Sequence, residues 1–181
     1  EWDRHYIVST MLALDTHIDY KKLRFDFSEE AVRGMRGEAL GDYSSHEKLI
    51  RIKRNGQNTV AHEMGHYIDN IWGEEIFGYG HLTDRNSINK IEDPEIKQWV
   101  NNFYSFINKL EHNADMRSDY TITPTEVFAR FVARFTEWTR NIGTGNRYQF
   151  ETKYYKVTFS TSHYVEFVKL LQEKAKLDTT K

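Results

Sequence analysis

Five consecutive residues, His62-Glu63-Met64-Gly65-His66, combine side-chain types and a spacing that can do chemistry. Two histidines four apart stand one above the other on one side of a helix, so both imidazoles can reach a single metal ion. Glu63 follows His62 by one residue, about 100° around the helix. It stands beside the two ligands, where a carboxylate can hold a water molecule rather than the metal. Zinc lowers the pKa of a water it binds toward ~7, and a neighbouring carboxylate can take the proton as that water attacks a carbonyl. The spacing encodes two metal ligands and one general base, the pattern HExxH. A chance match in a chain of this composition has odds of roughly 3 in 100, so the surrounding helix has to carry part of the case. It does: Val60, Met64, Tyr67, Ile68 and Ile71 fall within about 100° of arc, and His62, Glu63 and His66 take the other side. Ala61 and Gly65 are small enough to let another element come close.

A zinc site of this kind needs a third protein ligand and one open position. The route HExxHxxGxxH is closed, because Asp69 stands at the glycine position and Trp72 at the last histidine position. The other common route takes a glutamate from a later helix, and Glu126 in Pro124-Thr-Glu-Val-Phe-Ala-Arg-Phe is the best candidate. Val127, Phe128, Phe131, Val132, Phe135 and Trp138 make that helix's apolar face. Glu126 sits off it, in line with Ala129 and Ala133, and two alanines permit close packing against the small side of the first helix. A second role is open to the same residue. Thr123 and Glu126 form T-x-x-E, a capping box that satisfies the first amides of a helix, and residue physics weighs the two roles evenly. Asp69, Glu74, Glu75, His81, His112, Asp115 and Asp119 are rivals for the ligand position.

The pair HEMGHYID and PTEVFARFVARF resembles the zincin-like domains of large polyvalent proteins of phages and mobile elements. It is also similar to the wider gluzincin group of metallopeptidases. Members show an HExGHxxD helix and a later P-T/S-E-x-F-A-R helix, and His62, Glu63, His66 and Glu126 stand at the matching positions. The resemblance covers residues 39–140. It implies His62, His66 and Glu126 as zinc ligands, Glu63 as general base, and hydrolysis of peptide bonds in a protein or peptide substrate. Two alternatives stand beside that expectation: a non-catalytic metal-binding interaction domain of a phage or mobile-element protein, and a secreted effector or toxin peptidase.

Other residues have two readings each. Asp69 can orient a ligand imidazole or be an exposed acid near a helix end. Tyr120 can donate to the oxyanion of a tetrahedral intermediate or simply pack, and His81 and His112 are in the same position. Arg130, one turn after Glu126, can brace it by an ion pair or be a solvated helix arginine. Asp115 and Asp119 can support the N-terminus of the Glu126 helix.

The elements that must position these groups are read from periodicity. Residues 7–20 suit an opening helix. Lys22 to Phe27 alternates like a strand, and Ser28, Glu29 and Glu30 look like a helix start. Ala39 to Tyr43 and Lys48 to Lys53 look like two strands joined by Ser44, Ser45 and His46, followed by an Asn55-Gly56 turn. Residues 58–72 form the HExxH helix. A glycine-rich stretch, Gly73 to Gly80, and a polar loop to Asp93 follow, to be read as a lid or a plain surface loop. Pro94 opens a helix bearing Ile96, Val100, Phe103, Phe106, Ile107 and Leu110. Pro124 opens another that reaches about Arg140. Tyr154 to Phe159 reads as extended, His163 to Lys176 as a last amphipathic helix, and 177–181 as a disordered tail. The expectation is a single α+β domain over residues 1–181, with a small, mostly antiparallel sheet followed by the HExxH helix and further helices. Leu40 to Ile52 would form a hairpin edge beside the site, where by analogy of fold an extended peptide can pair.

Composition narrows the function classes. The chain has 181 residues, 14% of them aromatic, which is enough for a core at this length. The formal net charge of -2 gives no electrostatic reason to expect a nucleic acid or an anionic membrane as partner. The basic run Arg51, Lys53, Arg54 is short. With no cysteine, any metal must be held by His, Asp or Glu. No run approaches the ~18 apolar residues of a membrane span, and Glu1 to Tyr6 does not read as a leader. The expectation is a cytoplasmic location.

Overall fold

The structure, a computed structural model, describes residues 20–28, 40–53, 59–109 and 123–141. Residues 7–19, the helix start after Ser28, the Asn55-Gly56 turn and everything after Asn141 lie outside them. Tyr20 opens a 3-10 turn, Tyr20–Lys22.

The described architecture is α+β. Three short strands, β1 (Arg24–Asp26), β2 (Gly41–Ser44) and β3 (Leu49–Ile52), form one sheet in the order β1-β3-β2. β2 and β3 make the expected hairpin, antiparallel with Tyr43 opposite Ile50. The left-handed backbone of Lys48 (φ 51°) closes the turn. Ile50 and Ile52 point into the core from β3, as period-two alternation requires. β1 pairs with the other side of β3 in parallel, with Arg24 opposite Leu49. The sheet is thus mixed rather than antiparallel throughout. A three-residue strand carries no signal of direction, and a parallel partner depends on a crossover far longer than the strand.

Three helices complete the described fold: α1 (Val60–Phe77), α2 (Pro94–Lys109) and α3 (Pro124–Asn141). The stripe Val60, Met64, Tyr67, Ile68 and Ile71 is buried, as its spacing predicts. α1 runs one turn further than the sequence suggests and passes through Gly73. A Cβ at Gly73 would lie 2.6 Å from the Gly80 carbonyl oxygen and 2.7 Å from His81 Cα. Glycine here admits a returning loop rather than ending the helix. The end comes at Gly78, whose φ of 81° and N–H to the Glu74 carbonyl form a left-handed cap. Asp93 caps α2, with Oδ1 accepting from the N–H groups of Glu95 at 2.8 Å and Ile96 at 3.1 Å.

The core lies between α1, α2 and α3, with the sheet closing one side. Ile96, Val100, Phe103 and Ile107 are buried from α2; of the same stripe, the Phe106 side chain and Leu110 lie outside the described residues. Phe128 of α3 meets Trp72 and Phe103 edge-on at 6.0 and 6.3 Å between ring centroids. Fully buried Tyr67 receives the Tyr43 edge at 5.9 Å, which ties β2 to α1. Among the described residues no helix is long and apolar enough to cross a membrane.

Candidate metal centre

α1 sets two of the three groups by local geometry alone. His62 and His66 stand one turn apart, their ring centroids 4.9 Å from each other and their planes nearly perpendicular. Both are half-buried. The third group arrives because α1 and α3 touch at their smallest residues. A Cβ on Gly65 would lie 2.7 Å from Ala129 Cα and 3.0 Å from the Ala129 carbonyl oxygen. Gly65 lies between the two histidines in sequence, and Ala129 is three residues past Glu126. The contact that needs glycine therefore sits beside all three ligand positions.

Glu126 is 2% exposed, and its carboxylate faces both imidazoles. His62 Nε2 lies 3.4 Å from Oε1, and His66 Nε2 lies 3.4 Å from Oε2. That is long for a hydrogen bond, whose usual N···O range ends near ~3.2 Å. Each is close to the separation of two donors on a tetrahedral zinc, about 3.3–3.4 Å, and the two distances run to different oxygens of the one carboxylate. Oε2 is buried and has no hydrogen-bond partner. A buried carboxylate oxygen left without a partner costs free energy, and a cation between it and the imidazoles would remove that cost. His62, His66 and Glu126 are close enough to hold a metal ion, one ligand atom from each lying within 4.8 Å of the others. Of the two roles open to Glu126, its carboxylate occupies the one facing the histidines.

Arg130, one turn on, donates from Nη2 to Glu126 Oε1 at 2.5 Å. Burial pushes the Glu126 carboxyl up, but the two facing imidazoles and the Arg130 guanidinium outweigh it. They hold the carboxyl far below the usual range, so Glu126 is an anion.

No protein-family model, no curated protein and no solved structure matches this chain.

Glu63 is 6% exposed and stands next to the ligand group. Burial raises its carboxyl to about 7; the Glu126 and Asp42 charges push the same way, and His66 pulls it down. Asp42, on β2, accepts at Oδ2 from Arg51 Nη1 at 2.8 Å, and its Oδ1 is buried with no hydrogen-bond partner. Its influence on Glu63 is not legible in the sequence, because only the packing of β2 on α1 brings the two acids near each other.

Several rivals for the ligand position have other work. Asp69 is fully buried, so it is not an exposed helix-end acid. Nor does it orient an imidazole: Oδ1 accepts the Thr83 N–H at 2.9 Å and Oδ2 the Thr83 hydroxyl at 2.7 Å. Glu74 pairs with Lys48 Nζ, which also donates to Asn70 Oδ1. Glu75 is exposed. His81 stands on the returning loop; burial lowers its pKa, and the nearby charges of His66 and Lys48 push the same way. It is not part of the ligand group. Tyr120, His112, Asp115 and Asp119 lie outside the described residues.

The segment after α1 is anchored to that helix at its middle rather than lying wholly on the surface. Leu82 and Thr83 are fully buried and Ser87 nearly so. Asn70 Nδ2 donates to the Gly80 carbonyl at 2.6 Å, and the Tyr104 hydroxyl to the Thr83 carbonyl at 3.0 Å. Asp69 and Asn70 thus pin this loop to α1 one turn beyond His66. Its polar composition conceals the burial, because Thr83 is matched by Asp69 and Tyr104, partners distant in sequence.

Proposed function

We propose that this chain is a zinc-dependent metallopeptidase domain of the zincin-like, gluzincin type, acting on a protein or peptide substrate. The observation that carries the reading is the meeting of His62 and His66 with the buried Glu126 carboxylate, one ligand atom from each within 4.8 Å of the others, with Glu63 beside them. Three protein ligands leave a fourth tetrahedral position open, as catalytic zinc sites do and closed structural sites do not.

When bound, zinc supplies a Lewis acid that acidifies water and polarises a carbonyl. The protein's residues do the rest. His62, His66 and Glu126 would hold the ion on two helices that meet at the Gly65–Ala129 contact. Glu63 accepts the proton of the attacking water and delivers one to the leaving amine, so the amine departs neutral. Its burial excludes bulk water, which otherwise competes for that proton.

Metal content of the purified protein, measured by mass spectrometry without added metal, tests the reading first. About one zinc per chain is expected. No metal, and none taken up on adding zinc, would overturn it. One metal per chain with no hydrolysis of any peptide, including the protein's own flanking sequence, would favour a non-catalytic metal-binding domain.

A further inference from the structure

The two oxygens of Glu126 have different surroundings. Oε1 receives the Arg130 guanidinium at 2.5 Å, a charge-assisted bond between residues one helical turn apart on α3. Oε1 also lies 3.4 Å from His62 Nε2, whereas Oε2 is buried with no hydrogen-bond partner and faces His66 Nε2 alone at that distance. A dication seated on Oε1 would share that oxygen with a guanidinium and be repelled by it. One seated on Oε2 meets a lone pair that nothing else uses. The side chains of both residues are largely withdrawn from solvent, so water screens this difference weakly.

We propose that Arg130 is a positioning residue that makes Glu126 a one-oxygen ligand, by holding Oε1 and leaving Oε2 to coordinate. The inference rests on the metal-centre reading above and goes beyond it. It assigns the ligand atom, and it explains how the site would stay four-coordinate. A carboxylate free to swing could coordinate through both oxygens and add a fifth donor beside the water. Arg130 blocks this by fixing the plane of the carboxylate. A planar, permanently charged fork suits the task better than a mobile ammonium.

Cobalt(II) substitution reads coordination number directly, because four-coordinate cobalt absorbs visible light several-fold more strongly than five- or six-coordinate cobalt. Wild-type protein loaded with one cobalt per chain is expected to give the intense four-coordinate spectrum. Arg130→Met, also loaded with one cobalt, is expected to lose most of that intensity, and Arg130→Lys to recover part of it. An Arg130→Met spectrum identical to wild type at equal loading would overturn the proposal. Zinc-edge X-ray absorption on the wild-type protein provides a test that needs no variant. Four donors near about 2.0 Å are expected, and a second carboxylate oxygen in the shell would overturn the proposal. Failure of the wild-type protein to bind either metal is a distinct result, which overturns the metal-centre reading itself.

Discussion

Gly65 and Ala129 meet backbone to backbone: a Cβ on residue 65 would fall 2.7 Å from Ala129 Cα, closer than such atoms come in folded proteins. This contact lets α1 and α3 approach closely at the level of the ligands. It converts two helices, remote in sequence, into one metal-binding surface.

Gly65→Ala should therefore move Glu126 away from His62 and His66. Overpacking of this kind costs about 1–3 kcal/mol, readable as a lower urea midpoint for the metal-free protein. Zinc affinity, measured by chelator competition, should fall with it. Adding Ala129→Gly should not rescue either quantity, because the clash involves the Ala129 backbone rather than its methyl group. Full rescue would show that the helices can separate without harm.

Glu126→Gln removes the anion that faces both imidazoles while keeping the side chain's shape. Zinc affinity should drop by more than about 100-fold, a larger loss than outer residues cause. The metal-free protein should lose about 3 kcal/mol as well, since Arg130 loses its buried counter-charge. Isothermal titration and denaturant unfolding separate the two effects. Zinc binding at wild-type strength would return Glu126 to a helix-capping role.

Glu63→Gln should retain one zinc per chain and lose peptide hydrolysis by at least about 100-fold, the usual worth of a positioned general base. A carboxamide of the same size cannot accept the proton. Retained hydrolysis in a variant with full zinc would remove Glu63 from the mechanism.

Asp69 predicts a pH dependence of stability. Burial raises its carboxyl to about 7, against the ordinary 3.8; the Asp84 charge adds to this, while the Thr83 hydrogen bonds and His66 oppose it. The folded protein holds this proton more tightly than the unfolded chain. The stability that comes from protonated Asp69 is fully present below about pH 4 and is lost as pH rises through about 7. The change amounts to roughly a few kcal/mol, because each tenfold difference in proton affinity is worth about 1.4 kcal/mol. Glu63 titrates in the same window with the same sign, so the measurement compares metal-free wild type with Asp69→Asn between pH 5 and 8. The amide can still bond to Thr83 and carries no charge, so its urea midpoint should vary less with pH. Equal slopes would place the buried charge elsewhere.

The amino-acid order by itself determined what depends on neighbours within a turn or two. The i, i+4 spacing placed His62 and His66 on one side of α1 with Glu63 between them, and the same periodicity named the buried stripes of α1 and α2. The β2–β3 hairpin and the Pro94 and Pro124 helix starts were legible for the same reason. Tertiary structure decided whatever depends on two segments meeting. By residue type alone Glu126 is equally a cap or a ligand; the Gly65–Ala129 contact brings its carboxylate against the imidazoles. Gly73 reads as a break, yet the Gly80–His81 backbone lies against it and the helix runs on. Asp69 reads as exposed or imidazole-bound, yet Thr83 claims both its oxygens. β1 carries no sign that it pairs in parallel with β3. Backbone geometry repeats along a helix or strand and writes its period into the sequence. A contact across the core has no period, and it becomes visible only where the packed chain puts the two surfaces together.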